Sequence, residues 1–261
     1  MKTEAWYYTG VTAALILGLI QTAVSQEPET AAAQQAEPAG RENTVQTKVL
    51  EAGAHVFQNS APLQGFAIYL VGFHPMKDEP EHQMIAHHYC HQLNEDLAQC
   101  VLFDGNGAHA NLTGVEYIIS EPLFETLPED ERQYWHPHNG EILSGQLVAP
   151  YLPQAAENKL MQGKMNSYGK TWHVWASGTQ DDQPSSLPLG PSRLAWSFNR
   201  DGEVNPDLIQ QRDKALGVNT GQIRRARKSL QDLAHPQQGV DALKGQFGPQ
   251  EKEIPAVMEK P

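Results

Sequence analysis

The chain is short of the residues on which several large function classes depend. Its 19 lysines and arginines stand against 31 aspartates and glutamates, a formal net charge of −12. Phosphate backbones are gripped by clustered basic side chains, so nucleic acid is excluded as a partner class. There is no phosphate-cradling glycine loop, no G-x-S-x-G elbow and no H-E-x-x-H pair. Each of those motifs places backbone amides, a nucleophile or two metal ligands at a fixed spacing, and nothing here reproduces them. With only two cysteines, Cys90 and Cys100, one intrachain disulfide is the most that can form. No apolar run comfortably reaches the roughly 20 residues that cross a bilayer as a helix.

What is there describes one domain with extensions. The 261 residues are 39% hydrophobic and include 21 glycines and 18 prolines, enough to bury a core but not to pack every segment. At the N-terminus Lys2 precedes VTAALILGLI (11–20), and Ala23, Val24 and Ser25 offer the small residues that a signal peptidase reads. Residues 1–25 are expected to be a signal peptide cut before Gln26, giving a periplasmic or secreted protein. The alternative is an uncleaved anchor starting near Trp6. Residues 26–47 are rich in Ala, Gln, Glu and Pro and read as a disordered linker. Residues 235–261 carry scattered apolar positions and no sustained stripe, and read as a disordered tail. The domain is expected over residues 48–234. From Asp201 onward acidic and basic side chains cancel, so the acid excess lies upstream.

Inside the domain GFAIYLVGF (65–73), VLFD (101–104) and GVEYIIS (114–120) have strand length and composition. ILSGQLVAP (142–150) and TWHVWASG (171–178) alternate like strands. LFETLPEDERQYW (123–135) is helical but split at Pro128, and PQAAENKLMQGKM (153–165) is a second helix. NPDLIQQRDKALG and TGQIRRARKSLQDLA each open on a capping residue, and the first closes on Gly217. The basic run Arg224, Arg225, Arg227, Lys228 is most simply a solvated helix face. Short turns between strands, with helices between and after them, indicate an α+β fold. It is a single domain in which a mostly antiparallel sheet, with a hairpin or meander, carries several short helices.

The chemistry-bearing stretch is AHHYCH (86–91). On a helix, His87 and His91 would lie one turn apart with Cys90 nearby, a credible zinc site. On a strand they would be about 13 Å apart and could not share an ion. A hairpin fits better, because Asn94-Glu95-Asp96 is turn chemistry and its flanks mirror each other: Leu93 against Leu97, His91 against Gln99, Cys90 against Cys100. One face then carries His87, Tyr89, His91, Val101 and Phe103, and its apolar weight makes it the expected core face. The other carries His88, Cys90, Ala98, Cys100 and Leu102. Cys90 and Cys100 form a cross-strand disulfide, remain paired thiols, or serve as a reactive or metal-bound thiol near His88.

A second cluster is YWHPH (134–138). An extended H-x-H points both rings to one side, so His136 and His138 form a two-ligand module for zinc or another divalent ion. The ligands that could complete it are His88, Glu116, Glu141 and His173. The competing reading is a pair of helix-terminal histidines bonded to carbonyls. Trp172, Trp175 and Trp196 read as core or rim aromatics.

Several segments taken in order, HHYCHQLNEDLAQCVLFD, GVEYIIS with LPEDERQYWHPH, SYGKTW, and LPLGP through DGEVNPDLIQQRDKALGV, resemble the oil-body-associated protein family. The resemblance runs from about residue 45 to 234. It implies a domain without an established reaction or cofactor, and a lipid or membrane surface as partner. His87, His88, His136, His138, Cys90 and Cys100 fall on the family's motif positions, whereas His91 and His173 do not. Two readings follow: an exported, non-catalytic binding or structural protein at a lipid or envelope surface, or a metal-binding protein or metal-dependent hydrolase. The second would use His88, His136, His138 and Glu116, with His87 and Glu141 as secondary candidates.

Overall fold

The computed structural model describes residues 37–175 and 185–261. The leader and the first half of the linker expected from the sequence lie outside them. Four strands run as an antiparallel meander: β1 (Ile68–Met76), β2 (Glu79–Asn94), β3 (Leu97–Phe103) and β4 (Leu112–Ile119). Next to β4 lies β6 (Tyr168–His173), which also pairs with the two-residue strands β5 (His136–Pro137) and β7 (Arg193–Leu194). A separate ribbon joins β8 (Arg200–Asp201) to β9 (Lys252–Glu253). Mixed helix and antiparallel sheet in one domain is the α+β class expected.

Register positions the chemistry. Cys90 pairs with Cys100, and Cys100 with Glu116, which in turn pairs with Thr171. One step along, His88 pairs with Leu70 and Leu102, and Gly114 with His173. Because side chains alternate, His88, Cys90, Cys100, Glu116 and His173 project from one face and His87, Tyr89 and Val101 from the other.

The hairpin register agrees from Gln92 onward, but Asn94 rather than Leu93 opposes Leu97, and the register shifts between Gln92 and Asn94. Asn94 Oδ1 accepts the Asp96 amide at 2.9 Å, so Asn94 closes a tight turn over Glu95 and Asp96. The expected core face is reversed. Ala98, Cys100 and Leu102 are buried, whereas Leu97, Gln99, Val101 and Phe103 are only half-buried. Small side chains on β3 let the covering layer approach closely, and closeness of packing outweighs the number of large apolar groups.

That layer consists of α5 (Asn139–Ser144), α6 (Gln154–Lys164) and the C-terminal segment, packed on Cys90, Ala98, Cys100 and Ile118. Opposite, Val71, Phe73 and Ile85 pack on Trp196, Phe198 and Leu208, the last from α7 (Pro206–Leu216). Pro128 does separate two short helices, α3 (Glu121–Glu125) and α4 (Glu129–Arg132). Asn205 caps α7, Gly217 closes it with φ 63°, and Asn219 caps α8 (Thr220–Ala226).

Three expectations are corrected. Residues 142–150 are not an exposed strand: they finish α5 and cross the core, with Val148 bridging Val71. Arg227 is no solvated cation but a buried strut, donating to the carbonyls of Ile142 and Leu147 and to Glu157 Oε1. Residues 235–261 are no loose tail, since Val240, Leu243, Phe247, Ile254 and Val257 are buried in the two cores. Their spacing follows no helical or strand period because the segment wraps the domain in turns. By contrast α1 (Val45–Phe57), within the stretch expected to be linker and domain edge, buries none of its residues, and α2 (Ala61–Gln64) follows it.

Candidate functional site

Glu116 sits mid-strand on β4, 2% exposed, with histidines on both carboxylate oxygens. His88 Nε2 lies 3.1 Å from Oε2, while His138 Nε2 and His136 Nε2 lie 3.4 and 3.5 Å from Oε1. A direct charge-assisted hydrogen bond closes to about 2.7–2.9 Å. The longer spacings suit donors sharing a tetrahedral ion, since bonds of about 2.0–2.1 Å set the edges near 3.4 Å. His136 arrives on β5 opposite Gly169, and His138 two residues later as the residue that caps α5.

The outer partners fix the tautomers. Ser167 Oγ donates to the Lys164 carbonyl, so toward His138 it can only accept, and His138 Nδ1 carries the proton at 2.8 Å. His88 Nδ1 likewise donates to the Ala86 carbonyl at 3.0 Å. A neutral ring at either position therefore turns Nε2 to the carboxylate without a proton, whereas a doubly protonated ring donates to it. Two acceptors in a dry interior repel unless a proton or a metal ion lies between them. His136 is fully buried, and among the described residues neither of its ring nitrogens has a hydrogen-bond partner.

Gly169 marks where the donors converge. A Cβ there would stand 2.3 Å from Glu116 Oε1 and 2.7 Å from Nε2 of both His136 and His138. Two donor sets surround this region: His74, Glu116 and His136, and His136, His138 and Glu141, with ligand atoms in each set within 4.8 Å of one another. Imidazole and carboxylate donors of this kind suit zinc and other first-row divalent ions.

Burial sets the electrostatics. It pushes the Glu116 carboxyl up, but the imidazoles on its oxygens outweigh it and hold the group well below the usual carboxylate range. Burial takes His136 down to about 4 against the pull of Glu116, and His173 down to about 3. His74 falls for the same reason, with His88 and His173 adding to it. Glu141 moves the other way, raised well above the usual carboxylate range by burial and then by the Glu116 charge.

The structure thus brings together His88, His136, His138 and Glu116, and adds Glu141 to the same cavity. His87 is not with them. It lies on the opposite face, Nδ1 2.7 Å from the Tyr69 hydroxyl, and burial lowers it to about 3. His173 joins the cluster indirectly, its Nε2 3.0 Å from His74 Nδ1. His74 and Gly169 were not singled out from the sequence. His74 ends an ordinary apolar strand, and its only signal is the His-Pro step that it shares with His136. Cys90 and Cys100 form a buried disulfide on the same face as His88 and Glu116, which closes the thiol and metal-thiolate alternatives.

A family model described as "Protein of unknown function (DUF1264)" matches residues 60–231. Over 215 residues the chain is 36% identical to oil body-associated protein 1A of Zea mays, covering 82% of this chain and 87% of that protein. Oil body-associated protein 1B of Arabidopsis thaliana is 34% identical over 197 residues, covering 76% and 79%. Oil body-associated protein 2A of Zea mays is 36% identical over 205 residues, covering 77% and 80%. No solved structure matches.

Proposed function

The chain belongs to the DUF1264 family and is a relative of the oil body-associated proteins, and on that premise we propose that it binds a divalent metal ion of the zinc class. Glu116, His136 and His138 hold the ion beside Gly169, with His88 and His74 packed beside them. One observation carries the reading: Nε2 atoms of His88, His136 and His138 converge on one buried carboxylate at 3.1, 3.5 and 3.4 Å, with His88 and His138 anchored from behind through Nδ1. Such an ion supplies Lewis acidity when bound, and Glu141 is placed to hold a proton next to it. Elemental analysis of protein purified without chelator or affinity tag tests this. About one ion per chain is expected, and less than roughly 0.1 overturns it, because a built site fills stoichiometrically.

A second reading concerns the surface. The relatives are named for oil bodies, and α1 exposes Val45, Val49, Leu50, Val56 and Phe57 with no buried residue. Positions 45, 49, 52 and 56 share one helix face, the pattern of a helix that lies in a lipid interface. Among the described residues no helix is long and apolar enough to cross a membrane. We therefore read α1 as the lipid-facing element of a protein exported through its N-terminal leader. The disulfide suits an oxidising compartment. Flotation with neutral and anionic vesicles is expected for the wild type and lost in Val49→Asp/Phe57→Asp. Equal flotation of both removes α1 from the account. A mature N-terminus other than Gln26 by mass spectrometry counts against the leader as read.

A further inference from the structure

Away from the histidine centre, a cavity of about 300 Å³ opens between the β1–β2 turn, the end of α4 and the C-terminal segment. That volume lies at the small end of ligand pockets. Trp135 and Trp196 form its apolar floor, and Lys77, Arg132, Asp241 and Glu259 line it with charge. The two acids are already satisfied. Glu259 accepts the Gly239 amide on Oε1 at 2.9 Å and the Asp241 amide on Oε2 at 2.7 Å. Asp241 pairs with Arg200 through Oδ1 and with Lys244 through Oδ2.

The two cations are not. Lys77 is half-buried, donates to the Gln133 carbonyl at 2.6 Å and stands 3.7 Å from the centre of the Trp196 ring. Burial alone moves its ammonium down, with no carboxylate pulling it back. Arg132 commits Nε and Nη2 to the carbonyls of Leu127 and Glu125, at 3.1 and 2.7 Å, which leaves Nη1. Among the described residues neither cation pairs with a carboxylate. Because Lys77 bonds to the residue that follows Arg132, the two stand on one wall.

We propose that this cavity binds a small carboxylate with an apolar body, the carboxylate held by Lys77 and Arg132 and the body lying along Trp135, Trp196 and Ala242. Charge-assisted bonds from two side chains match the two oxygens of one carboxylate. The proposal does not rest on the metal reading. None of the proposed metal ligands lines this cavity, and Trp196 is the residue common to both regions, its ring centre 6.0 Å from that of His136.

Calorimetric titration of the full chain with sodium hexanoate, 1-hexanol and sodium acetate tests this. Hexanoate is expected to fill one saturable site, with hexanol and acetate each weaker by about 10-fold or more, the loss of one hydrogen bond to a charged group. Lys77→Met should weaken hexanoate by a similar factor at unchanged near-ultraviolet dichroism, and Lys77→Arg should restore most of it. Val49→Asp/Phe57→Asp in α1 should bind hexanoate as the wild type does, which separates the cavity from loose association with exposed apolar residues. No saturable hexanoate binding, or equal affinity for hexanoate and either comparison compound, overturns the proposal and needs no variant to read. So does equal affinity in wild type and Lys77→Met, or binding lost with the α1 pair. Metal content is unaffected in every case, so the metal reading stands or falls separately.

Discussion

Gly169 and Glu116 approach so closely that a methyl group on the first would fall 2.3 Å from Oε1 of the second. Glycine at this point of β6 leaves open the space into which His136 and His138 also point. Gly169→Ala removes no donor and changes no charge, yet it fills the proposed ion position. We expect bound metal to fall below roughly 0.1 per chain, by the stoichiometry of a built site. The metal-free variant should keep its far-ultraviolet dichroism. Normal metal content in this variant would place the ion elsewhere.

Ser167 has one proton and gives it to the Lys164 carbonyl, which is why it can only accept from His138. Ser167→Ala leaves His138 Nδ1–H without its partner and the ring free to turn. Outer partners of this kind are worth about 10–100-fold in metal affinity. Competition with a chromophoric chelator should show a loss of that order, with stoichiometry retained at saturating metal. An unchanged affinity would mean that packing alone orients His138.

The Cys90–Cys100 disulfide joins adjacent strands already held in register, and it lies buried on the site face. Its separation of 10 residues closes a short loop, for which the chain-entropy account gives about 2–3 kcal/mol. Cys90→Ala/Cys100→Ala should lower the unfolding free energy from urea titration by that amount and leave metal content unchanged, because the ladder still places His88 and Glu116. Parallel loss of metal and stability would make the disulfide part of the site's support.

Glu203 accepts the amides of Asn199 and Arg200 on Oε2, at 2.6 and 3.0 Å. Burial nevertheless raises its carboxyl to about 7 from an ordinary 4.5. The native state thus keeps a proton that the unfolded chain releases between those values. The resulting stability is fully present below pH 4.5 and is lost as pH rises through 7. Melting temperatures should fall between pH 4.5 and 7 in the wild type, and less so in Glu203→Gln. Identical slopes would show that Glu203 ionises like a surface carboxylate.

Much of the site was legible because strand alternation is a strict rule. Period two separates His87 from His88 within one dipeptide, and the mirror symmetry about the turn pairs Cys90 with Cys100. His-Pro-His must be extended at its proline, which brings His136 and His138 to one oxygen. His74 was illegible since a lone histidine in an apolar strand has no local partner. Its neighbour His173 lies 99 residues away. Arg227 misled for a related reason: on its own helix it belongs to a basic run, and only the carbonyls of Ile142 and Leu147 explain its burial.

The same logic applies to the C-terminal segment, whose partners are all distant in sequence. Gln237 accepts the Asn139 amide through Oε1 and donates to the Ser167 carbonyl through Nε2, both at 3.1 Å. It thereby ties the start of α5, which follows His138, to the loop that precedes Gly169. Val240, Leu243, Phe247, Ile254 and Val257 complete the two cores around it. Burying an aliphatic or aromatic side chain is worth about 1.5–3 kcal/mol, so removing five such groups exceeds the margin of a typical domain. A chain ending at residue 234 is expected to be insoluble or molten, losing near-ultraviolet dichroism. Gln237→Ala is the milder probe: it leaves the buried Asn139 amide unpaired and should cost about 1–3 kcal/mol, with weakened metal binding. A truncated chain that melts like the full protein would return this segment to the status of a tail.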